Sequence, residues 1–387
     1  MRYHTQMKNN PLALRPETLL GGLDAERFLA EYWQKKPLLI RGAIPGFEGL
    51  LSPEELAGLA CEEEVQSRLV QQQGTAWRLE QGPFDEDSFL HLPPRGWTLL
   101  VQNVNHYLPE AAALLQQFDF IPHARLDDLM VSYAPDGGGV GPHFDSYDVF
   151  LLQGQGKRLW RISEQQDLTL VEDSPLRILN RFDTAQEWIL EPGDMLYLPP
   201  HVAHWGIAVG NAMTYSIGFR APSDQELATQ FLAYLQERVQ LSGIYADPEL
   251  TRQAHPAEIG ANMVSKVARL LQGVLWQEAD VARFLGTYLS EPKSHVVFDT
   301  PSPISLAAFQ KRLKRQGIAL ALKSQMLFHA QYCYLNGEEI EMPPAFRGPL
   351  QQLANTRHLS GEACQDDGLA ALLYEWYLAG YCEFEEG

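Results

Sequence analysis

Three residues from two distant parts of the chain have the types and spacing of a metal site. His143 and Asp145 follow the glycine-rich run 137–142, and the polar–apolar alternation of this stretch predicts a strand. Because side chains two residues apart share one face of a strand, this imidazole and this carboxylate can bind the same ion. His204, much later in the chain, is the best candidate for a third ligand. Two histidines and one carboxylate form the facial triad that binds Fe(II) in non-haem oxygenases.

Such a triad leaves coordination positions of the ion free. We therefore expect Fe(II) as the metal, a 2-oxo acid such as 2-oxoglutarate in two of the free positions, and O2 in a third. A structural zinc site is not expected, because it would close every position, usually with cysteine. The four cysteines, Cys61, Cys333, Cys364 and Cys382, are scattered and form no CxxC pair. This usage indicates reduced thiols.

A histidine two residues before an aspartate also occurs as an ordinary hydrogen-bonded pair, so this pair alone does not decide the question. The segment from Gly193 to His204 strengthens the metal assignment, because it matches the second sequence motif of cupin barrels. That motif normally has glycine at the position of His201. His201 could itself be a ligand, but the motif makes His204 the ligand and puts His201 in the preceding turn.

A chelating 2-oxoglutarate needs a cation for its distal carboxylate. Arg158 is the predicted partner, because strand parity places it on a mostly apolar, inward face, where an unpaired cation is costly. Lys157 and Arg161 alternate onto the other face, where we expect them in solvent. Ser132, on a preceding strand candidate, has a hydroxyl that could contact the cosubstrate or simply fill the sheet.

Tyr147 and Asp148 follow the candidate ligands His143 and Asp145 almost directly. A phenol and a carboxylate near the metal would suit a substrate with a cationic side chain, so both residues are candidate substrate contacts. Each is equally compatible with a position at the rim of the site and with local hydrogen bonds.

Many short strands separated by turn signals predict a mainly β core with helical additions, and a double-stranded β-helix of the cupin jelly-roll type fits them best. The pattern predicts turns at Gly154–Gly156 and at Gly210-Asn211. Before this core, apolar residues at helical spacing predict one helix over 16–33. The predicted strands lie at 36–42, 97–104, 126–133, 149–153, 157–162, 188–190, 195–198, 205–209 and 213–219.

Helical periodicity replaces the strand pattern after Pro222, and Pro301-Ser302-Pro303 marks a further change. The last part combines helices with strand candidates around Asn336-Gly337, a strong hairpin signal, and this mixture is typical of a winged helix. We therefore predict three domains, which are a barrel domain with N-terminal additions at 1–222, a helical segment at 223–296 and a winged-helix-like domain at 297–387.

The 387-residue chain is acidic, with 30 Lys and Arg against 49 Asp and Glu and a formal charge of −19. This charge disfavours nucleic-acid binding and suits a basic partner. No apolar run is long enough to span a membrane, and Met1–Asn10 lacks the apolar core of an export signal. We therefore expect a cytoplasmic protein that makes no membrane contact.

Several stretches together resemble the JmjC-domain ribosomal oxygenases, namely 32–39, Asp127-Asp128-Leu129-Met130, 137–150, 191–204 and 215–222. The resemblance covers nearly the whole chain. It implies a JmjC barrel, a helical dimerisation segment that forms a homodimer, and a C-terminal winged helix that does not bind DNA directly. It also implies hydroxylation of an arginine side chain of a large-subunit ribosomal protein, which would be the basic partner.

The same resemblance assigns the site residues. It implies that His143, Asp145 and His204 bind Fe(II), that Arg158 binds the distal carboxylate of 2-oxoglutarate, and that Ser132 contacts the same cosubstrate. His201 departs from the glycine of the motif, which affects the local turn rather than the ligand set.

Three other functions stay open from the residues alone. A cupin isomerase would use the same ligands on zinc or manganese and would need no anchoring arginine. A non-catalytic module would use the winged helix to bind DNA, against which the acidic charge argues. A JmjC hydroxylase or demethylase could also act on another basic protein, such as a histone, because related chemistry recurs on shared folds.

Overall fold

The computed structural model describes residues 16–74 and 76–385, so Met1–Asn10, for which no export signal is predicted, lie outside the described residues. The helices are α1 (Pro16–Leu19), α2 (Ala25–Glu31), α3 (Pro53–Ala60), α4 (Glu86–Leu90), α5 (Pro109–Gln116), α6 (Asp224–Arg238), α7 (Ala261–Leu271), α8 (Glu278–Ser290), α9 (Leu306–Gln316), α10 (Pro344–Thr356) and α11 (Asp367–Leu378). The strands are β1 (Leu38–Ile40), β2 (Ser67–Gln73), β3 (Ala76–Gln81), β4 (Trp97–Val101), β5 (Leu126–Ala134), β6 (Val149–Ser163), β7 (Gln186–Leu190), β8 (Met195–Leu198), β9 (Ala203–Phe219), β10 (Ile318–Leu320), β11 (Met326–His329), β12 (Tyr332–Leu335), β13 (Glu338–Glu341), β14 (His358–Leu359) and β15 (Cys382–Glu383). Short 3-10 turns lie at Val104–His106, His123–Arg125 and Gly361–Cys364.

One antiparallel sheet forms the barrel, in the order β1-β8-β6-β9-β5-β4-β2-β3, with β7 also paired to β6. The long strands β6 and β9 lie at its centre and pair along almost their whole length. The hairpin β2–β3 extends the sheet beyond β4, and the sequence patterns did not predict it. The sheet curves around a cavity that is lined by residues of β2, β4, β5, β6 and β9.

The predicted turns at Gly154–Gly156 and Gly210-Asn211 are wrong, because both segments lie inside long strands. The ladder between β6 and β9 shifts register around Gln155. Here the two backbones come so close that a Cβ at Gly156 would collide with the carbonyl oxygen of Asn211. Gly156 also has a φ of +62°, which glycine adopts without strain. These glycines therefore mark β-bulges rather than chain reversals.

The single helix predicted at the N-terminus is interrupted. α1 ends at Leu19, and Gly21 and Gly22 follow with φ angles of +66° and +91°. Left-handed backbone of this kind ends a helix. α2 then begins after Asp24, whose side chain accepts a hydrogen bond from a backbone N–H of the first turn. The apolar periodicity continues across the break because both helices pack on the barrel, where Leu19 and Phe28 are buried.

Aromatic rings fill the core between α2 and the barrel. The ring centroid of Phe150 lies 4.9 Å from that of Phe118, 4.9 Å from that of Tyr197 and 5.5 Å from that of Phe28. All four rings are buried, and burial of each contributes about 1.5–3 kcal/mol to folding. This packing fixes the start of β6, which directly follows the segment containing the candidate ligands.

After the barrel, α6 and α8 pack on each other through Phe231 and Phe284, whose ring centroids are 5.3 Å apart. α7 differs from them, because none of its side chains is buried in the described part of the chain. Its apolar residues Met263, Val264 and Leu271 are about half exposed, at 46%, 55% and 59%. The helical segment predicted after Pro222 is therefore present, and one of its helices leaves an apolar face uncovered.

The C-terminal unit combines α9, α10 and α11 with two small sheets around a core of its own. The predicted hairpin at Asn336-Gly337 is confirmed, since these two residues join β12 to β13 with positive φ angles of 53° and 87°. The unit contacts the barrel through Gln325, whose Nε2 donates to the carbonyl oxygen of His123 at 3.3 Å. Among the described residues, no helix has the length and apolar character that a membrane crossing needs.

Candidate metal centre

The structure brings His143, Asp145 and His204 together. Their potential ligand atoms all lie within 4.8 Å of one another, and Oδ2 of Asp145 is 3.6 Å from Nε2 of His204. His204 lies on β9, but His143 and Asp145 lie in an irregular loop before β6, so the predicted strand at this point is wrong. The loop is still positioned like a strand, because His143 and His204 exchange backbone hydrogen bonds of 2.9 Å and 2.8 Å.

Backbone carbonyls orient both imidazoles. Nδ1 of His143 lies 3.0 Å from the carbonyl oxygen of Gly141, and Nδ1 of His204 lies 2.9 Å from that of Val202. Each Nδ1–H therefore donates to a carbonyl, which leaves each Nε2 with a free lone pair. Burial, together with the neighbouring His143, lowers the pKa of His204 to about 4. A neutral imidazole is the form that binds a metal.

His201 lies apart from this cluster, in the turn before β9. Its side chain is exposed, and its backbone N–H donates to the carbonyl oxygen of Asp145 at 2.7 Å. Its φ of +65° is left-handed, a conformation that favours glycine. This explains why the cupin motif has glycine here, and the position of His201 agrees with the predicted role in the turn.

A cavity of about 440 Å³ opens beside the three side chains. Arg158 and Ser132, the predicted cosubstrate contacts, both line it. Lys157 and Arg161 point to the opposite face of β6 as predicted, where they form exposed ion pairs with Glu191 and Glu187. Side chains of β6 therefore alternate between the two faces of the sheet beyond the bulges.

Arg158 is a buried cation with no acidic partner in the part of the chain that the structure describes. Only 4% of the residue is exposed, and its Nε and Nη2 have no hydrogen-bond partner among the described residues. Burial lowers the pKa of Arg158 to about 10, so the guanidinium is still charged at neutral pH. Because an unpaired buried charge is costly, this arrangement fits a cavity that takes a carboxylate.

The two candidate substrate contacts, Tyr147 and Asp148, lie in different surroundings. Tyr147 lines the cavity. Asp148 does not, because its fully buried carboxylate accepts hydrogen bonds from the hydroxyl of Tyr197 at 2.6 Å and from Nε2 of Gln34 at 2.9 Å. Asp148 therefore joins the N-terminal segment to the barrel, and the structure does not support its predicted contact with substrate.

Sequence reasoning missed two acidic residues on the cavity wall, Asp127 and Asp128. Successive residues of a regular strand face opposite sides, but β5 contains a bulge between Leu126 and Leu129. The extra residue lets both carboxylates face the same space. Two adjacent aspartates at the start of an otherwise apolar strand are the signal that could have identified them.

Comparison with known proteins shows which protein family has this fold and this site. A sequence model of the JmjC domain matches residues 113–227, and one of a ROXA-like winged helix matches residues 273–383. The ribosomal protein uL16 3-hydroxylase of Escherichia coli is 37% identical over 363 residues, which cover 92% of this chain and 97% of that protein. The chain belongs to the JmjC-domain ribosomal oxygenases.

Other ribosomal oxygenases also match this ribosomal oxygenase in sequence or in structure. The probable ribosomal oxygenase of Haemophilus influenzae is 39% identical over 230 residues, covering 58% of this chain and 54% of that protein. The crystal structure of YcfD from E. coli matches with a TM-score of 0.83 at 36% identity, covering 94% of this chain and 98% of that one. A YcfD structure in complex with cobalt and 2-oxoglutarate matches with a TM-score of 0.81 at 36% identity, covering 94% of this chain and 99% of that one.

Membership of this family confirms the predicted fold class, a JmjC barrel of the cupin type followed by helices and a C-terminal winged helix. It also confirms the predicted enzyme class, a 2-oxoglutarate-dependent dioxygenase, and the predicted use of Fe(II), 2-oxoglutarate and O2 agrees with the donor set of the site. The domain boundaries at 222 and 296 stay predictions.

Proposed function

We propose that this ribosomal oxygenase hydroxylates an arginine side chain of a large-subunit ribosomal protein, with uL16 as the first candidate. One observation carries the proposal, a single cavity that contains both a His–Asp–His cluster and a buried guanidinium without an anion among the described residues. The E. coli relative that this chain matches over 97% of its length is named a uL16 3-hydroxylase, which supplies the candidate substrate.

The proposed ligands of Fe(II) are Nε2 of His143, the carboxylate of Asp145 and Nε2 of His204. Both imidazoles are held with Nε2 free, and two nitrogens with one oxygen suit Fe(II) better than a thiolate site would. Hydroxylation of an unactivated C–H bond is the chemistry that Fe(II) supplies together with 2-oxoglutarate and O2. The side chains of His143, Asp145 and His204 would hold the ion, and Arg158 would orient the cosubstrate.

Arg158 is the proposed partner of the distal carboxylate of 2-oxoglutarate. Its planar guanidinium can form two parallel hydrogen bonds with a carboxylate, and its position on the cavity wall leaves those donors available. Ser132, which is buried on β5 and lines the same cavity, can add a hydroxyl donor. An isomerase with the same metal ligands would need neither contact.

Two adjacent acidic residues on the wall of the cavity support a cationic target. Asp127 and Asp128 line the cavity together with the phenol of Tyr147. Carboxylates form paired hydrogen bonds with a guanidinium, so an arginine side chain is the target that this wall fits best. The net charge of −19 adds a long-range attraction for a basic ribosomal protein.

A homodimeric assembly and a cytoplasmic location are part of the same proposal. The uncovered apolar face of α7 supports a homodimer in which that face is buried. A ribosomal protein substrate supports the predicted cytoplasmic location, and the acidic balance supports a winged helix that makes no direct contact with DNA. The boundaries 1–222, 223–296 and 297–387 are part of this proposal.

The deciding experiment is the intact mass of purified E. coli uL16 after incubation with the protein, Fe(II), 2-oxoglutarate and O2. We expect a gain of one oxygen atom, located on an arginine by peptide fragmentation. Asp145→Ala, which removes a proposed ligand, is the matched control and should leave the mass unchanged. An unmodified uL16 would contradict the proposal, and loss of methyl groups from a methylated basic protein would favour a demethylase.

A further inference from the structure

Lys293 lies outside the barrel but contacts Asp127, an acidic residue on the wall of the barrel cavity. It follows α8 in the chain, and its Nζ is 3.0 Å from Oδ1 of Asp127. The same Nζ donates to Oδ1 of Asn103 at 3.2 Å. Asn103 in turn donates its backbone N–H to Oδ2 of Asp128 at 3.0 Å. One ammonium group is therefore linked to both carboxylates, directly to the first and through one buried residue to the second.

Each carboxylate has one oxygen that a neighbouring group holds. Arg220 also approaches Oδ1 of Asp127, with its Nε at 3.6 Å. Oδ1 of Asp128 lies beside Gly218, where a Cβ would be 3.4 Å from it, and Gly218 also lines the cavity. Two carboxylates held in this way on the cavity wall can accept hydrogen bonds from the N–H groups of a cationic side chain.

We propose that Lys293 is a positioning residue for the cationic substrate group, because it fixes the two carboxylates that face that group. The inference rests on the proposed function above. It gives the helical segment a part in substrate capture, since the end of α8 is joined to the barrel at this point. Arg220 reinforces the junction, because its Nη1 donates to the carbonyl oxygen of Leu289 at 2.8 Å.

The positive charge of Lys293 opposes the proposed positioning effect. Lys293 carries the same sign as the substrate group, so its removal makes the wall more negative and could strengthen attraction. The geometry favours positioning, because Asp127 is 34% exposed and without Lys293 would keep only the longer contact with Arg220, at 3.6 Å. A carboxylate that must be reordered on binding loses affinity through side-chain entropy.

The test compares Lys293→Met, which keeps the length of the side chain, with Lys293→Arg, which keeps its charge. Binding of E. coli uL16 is measured by calorimetry on protein loaded with Mn(II) and 2-oxoglutarate without O2, and kcat and KM are measured with Fe(II) in air. The control is Lys323→Met, a second lysine at the same junction that pairs with Glu64 and Asp299 instead of Asp127.

We expect Lys293→Met to raise both Kd and KM for uL16 about 3- to 10-fold. The kcat value and the slow consumption of 2-oxoglutarate without uL16 should not change. Lys293→Arg should restore both constants, and the control should match the wild type.

An unchanged or lower Kd in Lys293→Met would overturn the inference. It would mean that Lys293 either repels the cationic substrate group or has no effect on its binding. A wild-type protein that neither binds nor modifies uL16 would overturn the proposed function itself, and the inference with it.

Discussion

At the scale of single residues, Arg158 separates an oxygenase that uses 2-oxoglutarate from a cupin enzyme that uses only a metal. Replacing it by methionine removes the cation and keeps most of the side-chain volume. Loss of one partner of a buried charge pair costs about 2–5 kcal/mol, so we expect the Kd of 2-oxoglutarate to rise about 30-fold or more. Calorimetry on protein loaded with Mn(II) measures this constant without turnover.

The matched control is Arg161→Met on the same strand, where the guanidinium pairs with Glu187 on the outer face at 3.1 Å. Its Kd for 2-oxoglutarate should equal that of the wild type. If Arg158→Met also binds 2-oxoglutarate normally, the cosubstrate is anchored elsewhere and the assignment is wrong.

His106 should make the stability of the protein depend on pH. Burial, with a contribution from nearby Lys293 and Arg357, lowers its pKa from 6.5 to about 4, so the unfolded chain binds a proton more readily than the folded one. Its contribution to stability is therefore full above about pH 6.5 and is lost as the pH falls towards 4. At about pH 5 the loss amounts to roughly 2 kcal/mol.

The measurement is the free energy of urea unfolding at about pH 5 and about pH 8. His106→Gln should lose less stability on acidification than the wild type, and His329→Gln, at an exposed position, is the control. Identical pH dependence in the wild type and in His106→Gln would show that His106 is not buried as a neutral imidazole.

At the scale of elements, the glycines that precede the proposed metal ligands allow their loop to pack closely against β9. A Cβ at Gly139 would collide with the carbonyl oxygen of Gly206, so Gly139→Ala must push the loop away from the strand that contains His204. We expect the affinity for Mn(II) or Co(II) to fall about 10- to 100-fold, the range typical of residues that orient metal ligands. Calorimetric metal titration measures it.

Gly348→Ala is the control for that change, because a Cβ at Gly348 would meet no atom within 4 Å. Metal binding by this variant should be normal. Normal metal binding by Gly139→Ala as well would mean that the loop can move without separating His143 from His204.

The same elements show what could be predicted from the sequence. Residue types and the second cupin motif predicted the approach of His143 and His204, and strand parity predicted the inward face of Arg158. These patterns failed at the β-bulges, because glycine is common both in bulges and in turns. The shared face of Asp127 and Asp128 depends on one extra residue in β5. Asp148 depends on Tyr197, a partner 49 residues away, which local patterns cannot identify.

At the scale of the whole molecule, three parts of the chain meet at a second pocket, which shares Asp127 with the cavity and is also lined by Lys293 and Lys323. The barrel contributes Asp127, the end of α8 is followed by Lys293, and the winged-helix unit contributes Lys323, which pairs with Glu64 of the barrel at 3.1 Å. The helical segment is thus fixed at one end against the barrel, while α7, at its middle, leaves an apolar face exposed. The apolar face of α7 is therefore available for contact with a partner.

That partner is expected to be a second copy of the chain. Val264→Asp places a carboxylate on the apolar face of α7, where burial in a dimer would be costly, so the variant should be monomeric at concentrations where the wild type is dimeric. Ser265→Asp, one residue on and therefore about 100° around the helix, is the control and should stay dimeric. Light scattering after gel filtration measures the mass. A monomeric wild type, or a dimeric Val264→Asp, would mean that α7 does not form the dimer contact.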